Sequence, residues 1–139
     1  MRSAYTLIEL SVTLCVLGIL SAIAIPRAAS FVDQIRVRGA VVEIEALFGA
    51  ARHIAIGRAD QTTVAIDTTR RAIYVISDRD TLRRGEVGIE HDVRLSTTRA
   101  SMTYSATGVG YGAANLSVVV RRNGAVDTVV VSRLGRVRH

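Results

Sequence analysis

The sequence predicts an α+β protein, in which one long amino-terminal helix, transmembrane in its first half and amphipathic in its second, packs against a small, mainly antiparallel β-sheet head. Three patterns carry that expectation. An apolar run over residues 5–25 is broken by one acid, Glu9; an amphipathic stretch follows Pro26; short β-branched segments divided by turn residues fill the chain beyond Asp60. The length of 139 residues suits one domain with an appendage.

The apolar run comes first. Residues 10–25 carry no charge. As a helix, residues 5–25 would extend about 31 Å, close to the roughly 30 Å of a bilayer's hydrocarbon core. A secretory signal peptide, cut near Ala28, Ala29 and Ser30, is the alternative, but its basic start would be only Met1 and Arg2. Such a peptide also has no use for Glu9. A carboxylate in lipid is costly and marks a function or a partner. Were the chain cut before Tyr5, Glu9 would lie one helical turn from the new α-amino group. It would then neutralise the terminus of a neighbouring subunit and set the axial register of packed helices. A plain core helix would leave Glu9 without a partner.

These residues carry a resemblance. Ala4-Tyr5-Thr6-Leu7-Ile8-Glu9-Leu10 resembles the processing motif of type IV pilins and type II secretion pseudopilins. The resemblance implies a leader of residues 1–4 removed between Ala4 and Tyr5 by a prepilin peptidase, methylation of the new terminus, and an assembly role for Glu9 as fifth mature residue. Pro26 falls where pilins often carry proline. The chain has Ala4 and Tyr5 where the family usually has Gly and Phe. Implied further are a single-pass inner-membrane anchor with cytoplasmic amino terminus and periplasmic head, partnership with other pilins or pseudopilins, and entry into a pilus or pseudopilus. Arg2 at the cytoplasmic end agrees with the positive-inside tendency.

Beyond Pro26, Val37, Val41, Ile44, Phe48, Ala51 and Ala55 recur every three or four residues, with Arg36, Arg38, Glu43, Glu45 and Arg52 between them. That spacing puts one apolar stripe on a helix. The expected division is therefore a leader over 1–4, a transmembrane helix over 5–26, an amphipathic stalk over 27–58 and a β-rich head over 59–139. A kink at Pro26 and a loosened stretch near Gly18 both stay open as ways for the stalk to bend. Strands are expected over 62–66, 72–76, 93–95, 101–105, 116–122 and 126–132, with Asn123-Gly124 as a tight hairpin turn. Gly108-Val109-Gly110-Tyr111-Gly112 reads as a loop, since no Lys and helix follow it as a phosphate cradle requires. Residues 46–58 running into strand 63–66, together with the closing segment 129–138, resemble the GspH/FimT branch of the pilin superfamily.

Little points to catalysis. His53 lies on the stalk, His91 between Glu90 and Asp92, and His139 ends the chain. No ligand spacing of a designed metal site occurs, and Glu90-His91-Asp92, read as a strand, would send neighbours to opposite faces. No enzyme activity, cofactor or metal is expected. The single cysteine, Cys15, excludes an intramolecular disulfide, and with no Trp and two Phe the core must be built from Val, Ile, Leu and Ala.

Charge is unevenly placed. All 18 basic residues are arginine, and the net charge of +6 falls entirely in residues 93–139, where seven arginines face the single acid Asp127. Arg121, Arg122, Arg133, Arg136 and Arg138 would form one patch if the tail folds back or the loops converge. Arg136 and Arg138 would reach successive phosphates of double-stranded DNA if their segment is extended, giving affinity without base specificity. Gly135-Arg136-Val137-Arg138 matches a Gly-Arg-x-Arg tail that the FimT branch associates with DNA uptake in natural transformation. The resemblance thus implies a GspH-like minor pseudopilin of a secretion system, with a FimT-like DNA-binding minor pilin as the alternative.

Overall fold

A computed structural model describes residues 6–111 and 115–139, and these divide between two compact units, Met1–Val32 and Asp33–His139. Ala4 and Tyr5 lie outside the described residues, as does the end of the glycine loop at Gly112.

Helix α1 covers Leu7–Arg58, 52 residues, with Pro26 inside it. In the first unit every described residue is exposed, and an 18-residue window reaches a mean hydropathy of 2.3. That segment is long and apolar enough to cross a membrane. The backbone is helical at both Gly18 and Pro26.

In the second unit α1 becomes amphipathic as its spacing predicts. Val37, Ala40, Val41, Ile44, Leu47, Phe48, Ala51 and Ala55 are buried, and they include all six positions of the expected stripe. They meet the inward faces of two four-stranded sheets. One sheet holds β1 (Thr62–Asp67), β2 (Ala72–Ser77), β3 (Asp80–Gly85) and β5 (Ser101–Tyr104) in the order β3-β2-β1-β5. The other holds β4 (Arg94–Thr97), β6 (Leu116–Arg122), β7 (Ala125–Val131) and β8 (Val137–Arg138) in the order β4-β6-β7-β8. All the pairings are antiparallel. The expected head of one sheet is thus two sheets on one helix.

The unforeseen elements are polar or very short. β3, Asp-Thr-Leu-Arg-Arg-Gly, is an edge strand exposed on most of both faces, so it lacks the alternation that betrays a half-buried strand. β8 is two residues long, and the four-residue helix α2 (Val87–Glu90) lies where the sequence shows no helical period. α2 is seated by Val87, fully buried, and by Gly88, whose amide donates to Arg71 O at 2.9 Å. A Cβ on Gly88 would come within 3.0 Å of the carbonyl oxygens of both Arg71 and Val93, so only glycine fits there.

β6 and β7 form the predicted hairpin, with Arg122 opposite Ala125 and Asn123 in the left-handed region at φ 48°. Leu116, Val118 and Val120 face the core and alternate with Ser117, Val119 and Arg121 on the outer face. This alternation decides the fate of each arginine at the site.

Candidate assembly and nucleic-acid-binding surfaces

Glu9 sits in the first turn of α1. Its amide donates to Thr6 Oγ1 at 3.3 Å, so Thr6 caps the helix. Thr6-x-x-Glu9 has the spacing of a capping box, and an acid in the first turn is favoured by the helix dipole. This signal is readable in the sequence and gives Glu9 a role within its own chain. Glu9 makes no ion pair among the described residues.

The basic residues fall into separate groups. Arg122, last on β6, shares the inward face with Val120, and there it meets acids from two other elements. Its Nε donates to Asp33 Oδ1 of α1 at 2.6 Å, and its Nη1 donates to the carbonyl oxygen of Asp92 at 2.6 Å and to the Asp92 carboxylate. Asn123 Nδ2 donates to Asp33 Oδ2 at 2.8 Å. Hydrogen bonds from Asn123 and Arg122 hold the Asp33 carboxyl below the usual carboxylate range, and Arg122 does the same for Asp92. Both acids in turn push Arg122 up. Arg122 is therefore a clamp joining β6 to α1 and to the α2–β4 corner, with its charge already spent.

Arg121 faces outward, opposite Arg94 of β4 on one side and Val126 of β7 on the other. With Arg71, Asp92, Val93, Arg122 and Asn123 these two line an open polar pocket of about 420 Å³.

Arg133, Arg136 and Arg138 stand at the other end of β7. The closing segment is a hairpin rather than a free tail. Ser132 N donates to Arg136 O at 2.8 Å, Gly135 N to Ser132 O at 2.9 Å, and Val137 and Arg138 pair with Val131 and Val130. Gly135 has φ 75°, and its Cβ would lie 3.0 Å from Arg52 Cδ and Nε of α1. The glycine of Gly-Arg-x-Arg is thus the residue that turns the chain over Arg52. Gly110 N donates to Arg133 O at 2.8 Å, so the glycine-rich loop braces the same turn. Val137 packs against the core while Arg136 and Arg138 are exposed. In an extended chain these two point the same way, about 6.6 Å apart. None of the three arginines forms an ion pair among the described residues.

The five arginines do not make one patch. Arg121 and Arg138 share the outer face but sit opposite Val126 and Val130, about 14 Å apart along β7. Arg122 is on the inner face. The tail does fold back, but to the far end of the hairpin.

His53 lies on α1 as the sequence implied, whereas the segment around His91 is not a strand. Glu90 ends α2 and His91 and Asp92 form the turn after it, so the strand argument against a shared site does not apply. Asp92 belongs to Arg122, whereas His91 Nε2 lies 2.9 Å from Glu43 Oε2 of α1. His139 Nδ1 lies 2.9 Å from Glu45 Oε1 of the same helix, and His53 is exposed.

No protein-family model and no curated protein sequence matches the chain. Solved structures do. The type IV minor pilin FimU of Pseudomonas aeruginosa strain PAO1 is similar in two crystal forms, with TM-scores of 0.65 and 0.61 and identities of 13% and 14%. The matches cover 78% and 73% of this chain and 90% of each FimU chain. At that identity the likeness is one of architecture, and the chain has a type IV pilin-like fold.

Proposed function

We propose that the chain is a minor subunit of a type IV filament, a GspH-like pseudopilin of a type II secretion system or a related assembly. The observation that carries this reading is α1, whose first half exposes apolar side chains throughout while its second half is the spine of a pilin-like head. An exposed apolar surface of that size needs lipid or neighbouring helices. Residues 1–4 are the leader, a prepilin peptidase cuts between Ala4 and Tyr5, residues 5–26 hold the subunit in the inner membrane, and the head of 59–139 stands in the periplasm. Glu9 neutralises a neighbour's amino terminus on assembly, and Pro26 marks the end of the membrane half. The test is co-expression of the full chain with a prepilin peptidase, read by intact mass and by cross-linking to partner subunits. Loss of residues 1–4 from the wild type, with cross-links that Glu9→Leu abolishes, is expected. An uncut chain, or cross-linking indifferent to Glu9→Leu, would overturn the reading.

A second reading has its own observation. Arg136 and Arg138, exposed at and just before strand β8, without an ion pair among the described residues and flanked by Arg133, suit the phosphates of double-stranded DNA, as in a FimT-like minor pilin for DNA uptake.

A further inference from the structure

We propose that Glu43, Glu90 and His91 form a zinc site that ties α1 to the α2 corner. One ligand atom from each of the three lies within 4.8 Å of the others. Glu43 and His91 are already in contact at 2.9 Å and about three-quarters buried, with side-chain exposures of 26% and 27%. Glu90 is exposed.

The backbone holds this cluster from both sides. His91 lies against Gly39 of α1, where a Cβ would sit 3.0 Å from the ring's Cε1 and Nδ1. Glu43 Oε1 lies against Gly85, where a Cβ would come within 2.9 Å of it. The close fit of Gly88 fixes the corner that carries Glu90 and His91. Three ligands from two elements are thus brought together by glycines, each of which leaves room for a ligand or its support.

The donor set selects the ion. Calcium and magnesium take oxygen ligands, whereas an imidazole with two carboxylates suits zinc. Tetrahedral bonds of about 2.1 Å place ligand atoms about 3.4 Å apart. The His91–Glu43 pair needs to open by about 0.5 Å from its 2.9 Å contact, and the exposed Glu90 side chain can swing inward. Three arginines of this corner have other partners: Arg84 pairs with Glu86, and Arg71 and Arg122 pair with Asp92. With neutral His91 the two glutamates leave a charge of −2 for a divalent cation. Water would complete the coordination, as the head has no cysteine.

The site is independent of the filament reading and is tested on the full chain in detergent. After dialysis against a chelator, zinc chloride is titrated by calorimetry and the melting temperature is followed with and without zinc. One zinc per chain and a zinc-dependent rise in melting temperature are expected. Loss of a supporting partner to a ligand costs 10–100-fold in metal affinity, so loss of a ligand in Glu90→Gln or His91→Gln should weaken binding by at least about tenfold. Glu90→Gln alters an exposed residue and leaves the His91–Glu43 contact in place, so its folding is not in question. Gly39→Ala keeps all three ligands, displaces the imidazole and should weaken zinc while the helix gains propensity. His139→Gln removes the other histidine–glutamate pair and should leave zinc affinity unchanged. The proposal is overturned if zinc does not bind stoichiometrically, if Glu90→Gln and His91→Gln bind as tightly as wild type, or if His139→Gln abolishes binding.

Discussion

Arg122 and Arg136 are both exposed-looking arginines in the basic last third of the sequence, yet the two ends of β7 treat them oppositely. At the hairpin end, Arg122 is drawn inward and meets Asp33 and Asp92, which precede it by 89 and 30 residues. At the other end, Arg136 and Arg138 stay exposed and make no ion pair among the described residues. The net charge of +6 belongs to residues 93–139 only when counted along the chain. In space, acids from α1 and the α2–β4 corner cancel Arg122 and leave Arg136 and Arg138. A basic segment is thus a candidate surface for an anion only where folding does not supply its counter-charge.

The largest expected consequence is in DNA binding. If the Arg136 end is the nucleic-acid surface, the double variant Arg136→Ala/Arg138→Ala should weaken full-chain binding to duplex DNA roughly tenfold or more at low salt. It should also reduce the slope of log K against log salt by about 2, since each neutralised phosphate contributes about 0.9. Fluorescence anisotropy across a salt series measures both. Surface substitutions of this kind leave stability within about 0.5 kcal/mol, so unchanged melting must accompany the loss. No binding by wild type at low salt would remove the DNA reading, and equal loss in Arg122→Ala would break the contrast between the two ends.

Next in size is stability at the hairpin end. Arg122→Ala leaves Asp33 without its guanidinium and opens the α2–β4 corner, so the melting temperature should fall by several degrees. Arg121→Ala, one residue away on the outer face, should hardly move it. Thermal unfolding of the two variants side by side decides this, and equal effects would mean that the inward clamp carries no stability.

These contrasts also mark what the sequence could tell. The stripe from Val37 to Ala55 was legible because a 3.6-residue period survives interruption by charges, and the Asn123-Gly124 hairpin because its turn chemistry is local. The capping spacing of Thr6 and Glu9 is equally local. By contrast, β3 was hidden because both its faces meet water. The Asp33–Arg122 and Glu43–His91 contacts were hidden because they join residues 89 and 48 apart, and nothing local forecasts which distant acid a basic residue will meet. Even the Gly-Arg-x-Arg match was half legible. Its arginines were read as a surface, but the reason for its glycine, a positive φ over Arg52, required the fold.

The smallest effect follows from the acids that share Arg122. Asp33 and Asp92 both have carboxyls held below the ordinary value of 3.8, Asp33 first by Asn123 and then by Arg122, Asp92 by Arg122. A depressed folded-state pKa means that the unfolded chain takes up protons first as pH falls. The stabilisation is therefore fully present above the unfolded value and is lost as pH drops through the lower folded values. The gap between wild type and Arg122→Ala should be constant from neutrality to about pH 5 and should narrow below pH 4. It cannot exceed the neutral-pH gap, because protonating the acids removes only the part of the clamp that depends on their charge. Urea unfolding at a series of pH values measures it. The Arg136→Ala/Arg138→Ala variant should track wild type throughout, since no carboxylate among the described residues is paired with those arginines. A gap that stays constant into acid would show that Arg122 acts by packing its stem rather than by holding two carboxylates, and the opposition between the two ends of β7 would then be one of burial alone.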